Sequence, residues 1–284
     1  MAQKQLTAAV TGAGSGLGRD IALRLAAKNY RVFGTALSPE EVDDLKNASD
    51  GSVSLSQCDI TDEAAVRNWA LEMAAQTGGG LDLLISNAGV LTPGPLEVLP
   101  LSAIRREFEV NVFGALAVIN AFLPALRKQR GRIVQVSTWT ASLPLPFNGP
   151  SGASKAAMEA FASVYRAELK SFGIDVVIAA AGNMKTGGPA KTATALQRVA
   201  DGMNSEQRGL YGDAFGIFTG TMNKMQNSGL DSQSAAKRVI ELAEEKPAPS
   251  RGPVGEDAEE SYDRQEQCQQ RQRAQQRGAE ARIR

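Results

Sequence analysis

The residue types available for chemistry are restricted before any spacing is considered. The 284-residue chain contains no histidine, which excludes Ser-His-Asp and Cys-His nucleophiles and His-ligated zinc. Proton transfer therefore falls to Tyr, Lys, Ser, a carboxylate or water. Cys58 and Cys268, the two cysteines, lie far apart in segments of different character. They build neither a disulfide framework nor a metal-ligand cluster, so no metal site is expected. The segment with the plainest chemical purpose is TGAGSGLG, Thr11 to Gly18, which follows a short apolar run and opens RDIALRLAAKNY. In that context Gly12 permits a tight turn, Gly16 lets backbone approach a pyrophosphate, and Gly18 allows close packing of helix on strand. Free N–H groups at the helix start, with Ser15 and Leu17 among them, would face the phosphates. No Lys followed by Ser or Thr closes the loop, so it is not a nucleoside triphosphate P-loop.

The elements that must position this loop are visible as apolar runs of strand length alternating with segments of helical period. Strands are predicted at 6–11, 31–36, 53–57, 81–86, 132–137 and 175–180, and helices at 17–28, 39–47, 63–76, 101–127 and 151–171. Runs such as LDLLI and IDVVIAAA are continuously apolar, as suits a sheet covered on both faces. The expected fold is α/β, a doubly wound parallel sheet of Rossmann type with right-handed crossovers. Residues 1–250 are read as one dinucleotide-binding and catalytic domain. Within it, 183–229, rich in Gly, Thr, Met and Asn, is read as a substrate lid over the crevice. Residues 251–284, ending in a Gln/Arg-rich run, are read as a solvated tail.

Composition narrows the partners. Lys plus Arg and Asp plus Glu both number 31, so no net field draws the chain to nucleic acid or an anionic membrane. Hydrophobic residues are 43% and charged residues 22%, ordinary for a globular protein. The amino terminus reaches its glycines too early for a secretory segment, and no run reads as a membrane span. A cytoplasmic protein is expected.

Further motifs stand at SNAG (Ser86–Gly89), NVFG (Asn111–Gly114), IVQVS (Ile133–Ser137) and GASKAAMEAF (Gly152–Phe161). In this order behind a GxxxGxG turn, they make the chain resemble the short-chain dehydrogenase/reductase family. A shared fold alone does not establish activity. The resemblance implies that Asn87, Ala88 and Gly89 lie beside the adenosine ribose and that Asp59, with Ile60, meets the adenine. It further implies a catalytic group in which Asn111 holds a water, Ser137 donates to the substrate oxygen, and Lys155 binds the nicotinamide ribose and acidifies a phenol. The family's tyrosine, four residues before Lys155, is replaced by Ser151. A serine hydroxyl is a far weaker acid than a phenol beside a lysine.

Tyr165 falls on the wrong side of its helix to serve instead, and Tyr211 has no supporting motif. The resemblance therefore implies an NAD(P)(H)-dependent oxidoreductase interconverting a secondary alcohol and a ketone, impaired at Ser151. Non-catalytic or non-redox cofactor binding on the same fold stays open. Ala36 and Leu37 end the second strand with neither an acidic nor a basic anchor, and Ser38 offers a donor to a 2′-phosphate. NADP is accordingly favoured over NAD. AAGNMKT (Ala180–Thr186) resembles the family's PGxxxT and brings Thr186 toward the nicotinamide. Leu91, Trp139, Leu143, Phe215 and Phe218 are the expected lining of a pocket for a small apolar alcohol or ketone. A homodimer or homotetramer is implied by the resemblance.

Overall fold

The computed structural model describes residues 5–185 and 188–260. Its main sheet has seven parallel strands. In chain order the first elements are β1 (Thr7–Val10), α1 (Gly16–Ala27), β2 (Arg31–Ala36), α2 (Pro39–Ala48), β3 (Val53–Gln57), α3 (Glu63–Thr77) and β4 (Leu83–Ser86). There follow α4 (Leu101–Phe108), α5 (Ala115–Gln129), β5 (Arg132–Thr138), α6 (Gly149–Leu169) and β6 (Asp175–Ala181). The remainder comprises β7 (Met184–Lys185), α7 (Gly188–Gly202), α8 (Ser205–Ser228), β8 (Leu230–Asp231), α9 (Ser232–Glu244) and β9 (Arg251–Val254). The sheet order is β3-β2-β1-β4-β5-β6-β9, with β7 and β8 forming a separate two-stranded ribbon. The order reverses between β1 and β4, and the crevice outside the carboxyl ends of the strands at such a point is where open α/β sheets bind ligands.

Each face of the sheet is covered by an apolar layer. On one side α1 buries Leu17, Ile21 and Leu25, four residues apart on one helical face, and α9 packs beside them with Val239 and Ile240. On the other, α5 buries Val118, Ile119, Phe122 and Leu126 against α3, where the Trp69 and Phe122 rings meet edge to face at 4.6 Å. Each such large side chain contributes roughly 1.5–3 kcal/mol of burial. Side-chain caps define helix starts. Asp62 accepts the amides of Ala64 and Ala65 ahead of α3, and Gly78 closes that helix in the left-handed region at φ 64°.

Three expectations are corrected. The helix expected at 101–127 is α4 and α5 joined by a π-helical turn, Glu109–Gly114. Within Leu101–Gln129 lies an 18-residue apolar window, more than half of which is buried inside the protein. It does read as long and apolar enough to cross a membrane, yet its apolar face is a core face here. The excursion at 183–229 contains two substantial helices around a small core of Leu196, Met203, Phe215 and Met222. Finally, residues 251–254, assigned by sequence to the tail, are β9, pairing parallel with β6 from Ile178↔Arg251 to Ala181↔Val254. Composition misled because RGPV has Gly and Pro where strands usually lack them, and a proline is tolerated on an edge strand.

β9 also carries Arg251, whose guanidinium pairs with the Glu159 carboxylate of α6, both side chains about 15% exposed. Arg251→Ala leaves that carboxylate buried without its cation, and a loss of about 3 kcal/mol is expected in urea unfolding.

Candidate active site

The glycine turn is built as its spacing requires. Gly12 and Gly16 have positive φ, 64° and 54°. A Cβ on Gly18 would collide with the Gly12 carbonyl oxygen, so α1 seats directly on the end of β1. Ser15 is the α1 N-cap and makes no side-chain cap bond, leaving the first-turn amides for an anion. The loop is held from behind. Gly12 N–H donates to the Thr35 hydroxyl at 3.0 Å, and Asn87 Nδ2 donates to the Thr11 and Gly12 carbonyls at 3.0 and 3.4 Å. The Asn87 side chain thus braces the loop. The Thr11 hydroxyl accepts the amides of Asn87 and Ala88 at 2.9 and 3.0 Å.

From this turn a groove of about 530 Å³ runs past Leu37, Asp59 and Ile60 to Ala88, Gly89 and Leu91. These are positions a dinucleotide would occupy. Asp59 is fixed by its own turn, accepting from Thr61 N–H and hydroxyl at 3.0 and 2.8 Å, and pairs with Arg106 at 3.0 Å. Cys58 lies on the groove wall, its thiol raised to about 11 by burial and by the carboxylates of Asp59, Asp62 and Glu72. Ser38 serves as N-cap of α2, accepting Glu41 N–H. Thr186 lies outside the described residues.

A second cavity, about 190 Å³, adjoins the groove through Leu91 and Thr192, which line both. Its wall includes Thr138, Trp139, Leu145, Asn148, Ser151, Met184 and Met222. Of the expected pocket residues, Leu91 and Trp139 are present. Leu143 is 46% exposed and outside the lining. Phe215 and Phe218 of α8 turn instead toward Phe147, at ring distances of 5.5 and 5.4 Å, and pack α8 against the segment ahead of α6. The cavity is not wholly apolar. Asn148 Oδ1 and Gln226 Oε1 are buried in it without a hydrogen-bond partner.

The hydroxyl expected from Ser137 is also displaced by one residue. Successive side chains on β5 point to opposite faces, so Ser137 turns under the sheet and donates to Glu159 Oε1 at 2.6 Å. Thr138 is the strand-end hydroxyl that shares the cavity wall with Ser151. Its Oγ1 accepts from the Thr140 amide at 3.3 Å. The parity of the strand was the signal that could have identified it.

Behind the wall lies a polar network. The π-helical turn rotates Asn111 inward, as π-bulges at functional sites often do. Its Oδ1 accepts Val90 N–H at 2.8 Å, and its Nδ2 donates to Val90 O at 2.9 Å, Ser154 Oγ at 3.0 Å and Glu107 Oε1 at 3.3 Å. Ser154 Oγ donates to the Ser151 carbonyl at 3.1 Å. Lys155, one turn beyond Ser151 on α6, donates to Val136 O at 3.0 Å. Burial draws its ammonium down to about 8, against the upward pull of the Glu107 and Glu159 carboxylates. Sequence reading missed Glu107, which is fully buried and has one carboxylate oxygen without a partner. Desolvation pushes it up to about 7, opposed by Thr92 and by the Lys155 charge. No tyrosine joins the network among the described residues. Tyr165 donates to Asn120 at 2.8 Å, Tyr211 bonds Glu97, and Tyr30 donates to Glu244 at 3.2 Å.

A phosphate-binding turn and a reaction-sized cavity, joined at the carboxyl ends of a parallel sheet, define a dinucleotide-dependent α/β protein. Residues 6–196 match the model of the short chain dehydrogenase family, and the chain belongs to that family. It is 36% identical over 186 residues to the uncharacterized oxidoreductase YusZ of Bacillus subtilis, covering 63% of this chain and 65% of that protein. It is 29% identical over 242 residues to the NADPH-dependent 3-dehydrocapnine reductase of Ornithobacterium rhinotracheale, covering 82% of each. A short chain dehydrogenase of Burkholderia cenocepacia solved with NADP superimposes with a TM-score of 0.71 at 25% identity, over 96% of this chain and 97% of that one.

The raised Glu107 fixes a pH dependence. A carboxyl whose folded pKa exceeds its unfolded value favours the fold fully below the unfolded value, and that contribution is lost as pH climbs through the folded one. The window runs from about 4.5 to about 7. Glu107→Gln removes this loss, so its melting temperature relative to wild type should rise between pH 5 and pH 8.

Proposed function

We propose that the chain is an NAD(P)(H)-dependent oxidoreductase interconverting a secondary alcohol and a ketone, with proton transfer slowed because Ser151 stands where the family has tyrosine. The observation that carries this reading is the shared wall of Thr138 and Ser151 in a cavity opening onto the dinucleotide groove. Hydride transfer is the chemistry a bound nicotinamide dinucleotide supplies. The chain supplies position and charge.

In this reading the first-turn amides of α1 hold the pyrophosphate, and Gly89 leaves room beside Asn111 and Lys155. A Cβ there would stand 3.1 and 3.3 Å from Asn111 Oδ1 and Lys155 Nζ. The Thr138 hydroxyl donates to the substrate oxygen as negative charge gathers there. Lys155, with its lowered pKa, holds a proton that is exchangeable near neutrality but has no phenol through which to deliver it. The substrate is a small alcohol or ketone, and the unpartnered amide oxygens of Asn148 and Gln226 favour one with a hydroxyl or amine away from the reacting carbon. Relatives named as reductases of small molecules support the same class.

Ser151→Tyr should raise turnover by roughly 10²–10⁴ on a panel of carbonyl substrates while leaving nucleotide affinity within a few-fold. Nucleotide binding without any gain across the panel overturns the redox reading and makes the chain a cofactor-binding protein. In the Ser151→Tyr background, Thr138→Val should cost roughly 10²-fold in kcat. Ser137→Ala should act mainly on thermal stability, which a melting curve separates from turnover.

A further inference from the structure

The end of β2 lacks the carboxylate that commonly receives an adenosine ribose hydroxyl, since Ala36 and Leu37 occupy it. A carboxylate reaches the same place from α2. Glu41 Oε2 accepts Leu37 N–H at 3.2 Å. The side chain lies so close to the glycine turn that a Cβ on Gly14 would stand 2.7 Å from Oε2. Glu41 lines the dinucleotide groove together with Gly12, Ser15, Leu37 and Asn87.

We propose that Glu41 is the cofactor-discriminating residue of this chain, receiving the adenosine ribose hydroxyls and excluding a 2′-phosphate, so that NAD(H) is bound in preference to NADP(H). The proposal rests on the dinucleotide reading of the groove and specifies its ligand.

The surroundings argue in the same direction. A 2′-phosphate brings close to two negative charges and needs cationic or uncommitted donors. Ser38, the donor that sequence offered, accepts Glu41 N–H as the α2 cap, which fixes its side chain but leaves its O–H to donate. Its hydroxyl also helps hold the Glu40 carboxyl below the usual carboxylate range, second to the Glu40 amide itself. The cation nearest along α1, Arg19, pairs with Asp44 at 2.9 Å. Among the described lining residues the basic one is Arg106, bonded to Asp59 at 3.0 Å and to the Thr61 hydroxyl at 3.1 Å. A carboxylate with no free cation beside it repels a phosphate and accepts from hydroxyls. The Glu41 carboxylate thus opposes the preference for NADP inferred from Ala36 and Leu37, and the Ser38 hydroxyl is shared with the Glu40 carboxyl.

The test is a fluorescence titration of the full chain with NADH and with NADPH, which reads binding and needs no turnover. Wild type should bind NADH at least about tenfold more tightly, a difference of about 1.4 kcal/mol. Glu41→Gln should narrow the ratio about tenfold, Glu41→Arg should invert it, and Glu40→Gln should leave it in place. Melting curves for each variant confirm that folded proteins are compared, and the wild-type ratio stands independently of any variant. Equal or tighter binding of NADPH by wild type overturns the assignment alone, as does an unchanged ratio in a well-folded Glu41→Gln. Failure of both nucleotides to bind overturns the dinucleotide reading with it.

Discussion

The Thr11 hydroxyl is the junction on which the site depends. It accepts two consecutive amides from the end of β4 while the Asn87 side chain returns bonds to the carbonyls that begin the glycine turn. Four polar contacts thus tie the carboxyl ends of β1 and β4 at the point where the sheet reverses its order. Strand ends in a parallel sheet leave backbone groups without ladder partners, and an unpaired buried amide costs about 1–3 kcal/mol. Meeting that requirement fixes the turn and holds Ala88 and Gly89 opposite Lys155. It also sets the floor from which the groove and cavity diverge. The glycines are a consequence of this closeness, since the Gly18 position has no room for a methyl group.

Much of this was legible in the sequence because it is local. The GxxxGxG turn, the apolar strands and the four-residue step from Ser151 to Lys155 depend on neighbours along the chain. What was missed depends on distant partners. Ser137 and Thr138 are adjacent hydroxyls at one strand end; strand parity puts them on opposite faces, and the position of Glu159 on α6 shows which face is which. Asn111 looked helical, and the π turn that aims it becomes visible when Val90 and Ser154 are brought near. The lid helices were hidden by glycine content. Gly209, Gly216 and Gly220 face open space, so they weaken α8 without interrupting any packing, while Asn204 and Gln207 form a capping box at its start.

A buried polar cluster lies behind Ser151 and the cavity wall. Lys155, Glu107, Asn111 and Ser154 form a network whose charges are tuned by burial toward neutrality. A network of this kind is expensive unless its groups are satisfied, and here one Glu107 oxygen is left over. In the proposed reading these groups hold a proton beneath Ser151, and the residue that would pass it to substrate is the one exchanged.

β9 bears on how the protein is made. The sheet is completed by a strand near the far end of the described chain, and the helix that presents Ser151 and Lys155 is tied to that strand through Glu159 and Arg251. During synthesis, six strands of the main sheet and every active-site side chain described above leave the ribosome before Arg251 does. Until it emerges, β6 is an open edge with unpaired backbone groups, available to any other nascent strand. β9 therefore closes the described sheet at the β6 edge. Shortening the chain at this point would expose a sticky sheet edge in every newly made molecule, a cost met in the cell as aggregation rather than as lost affinity.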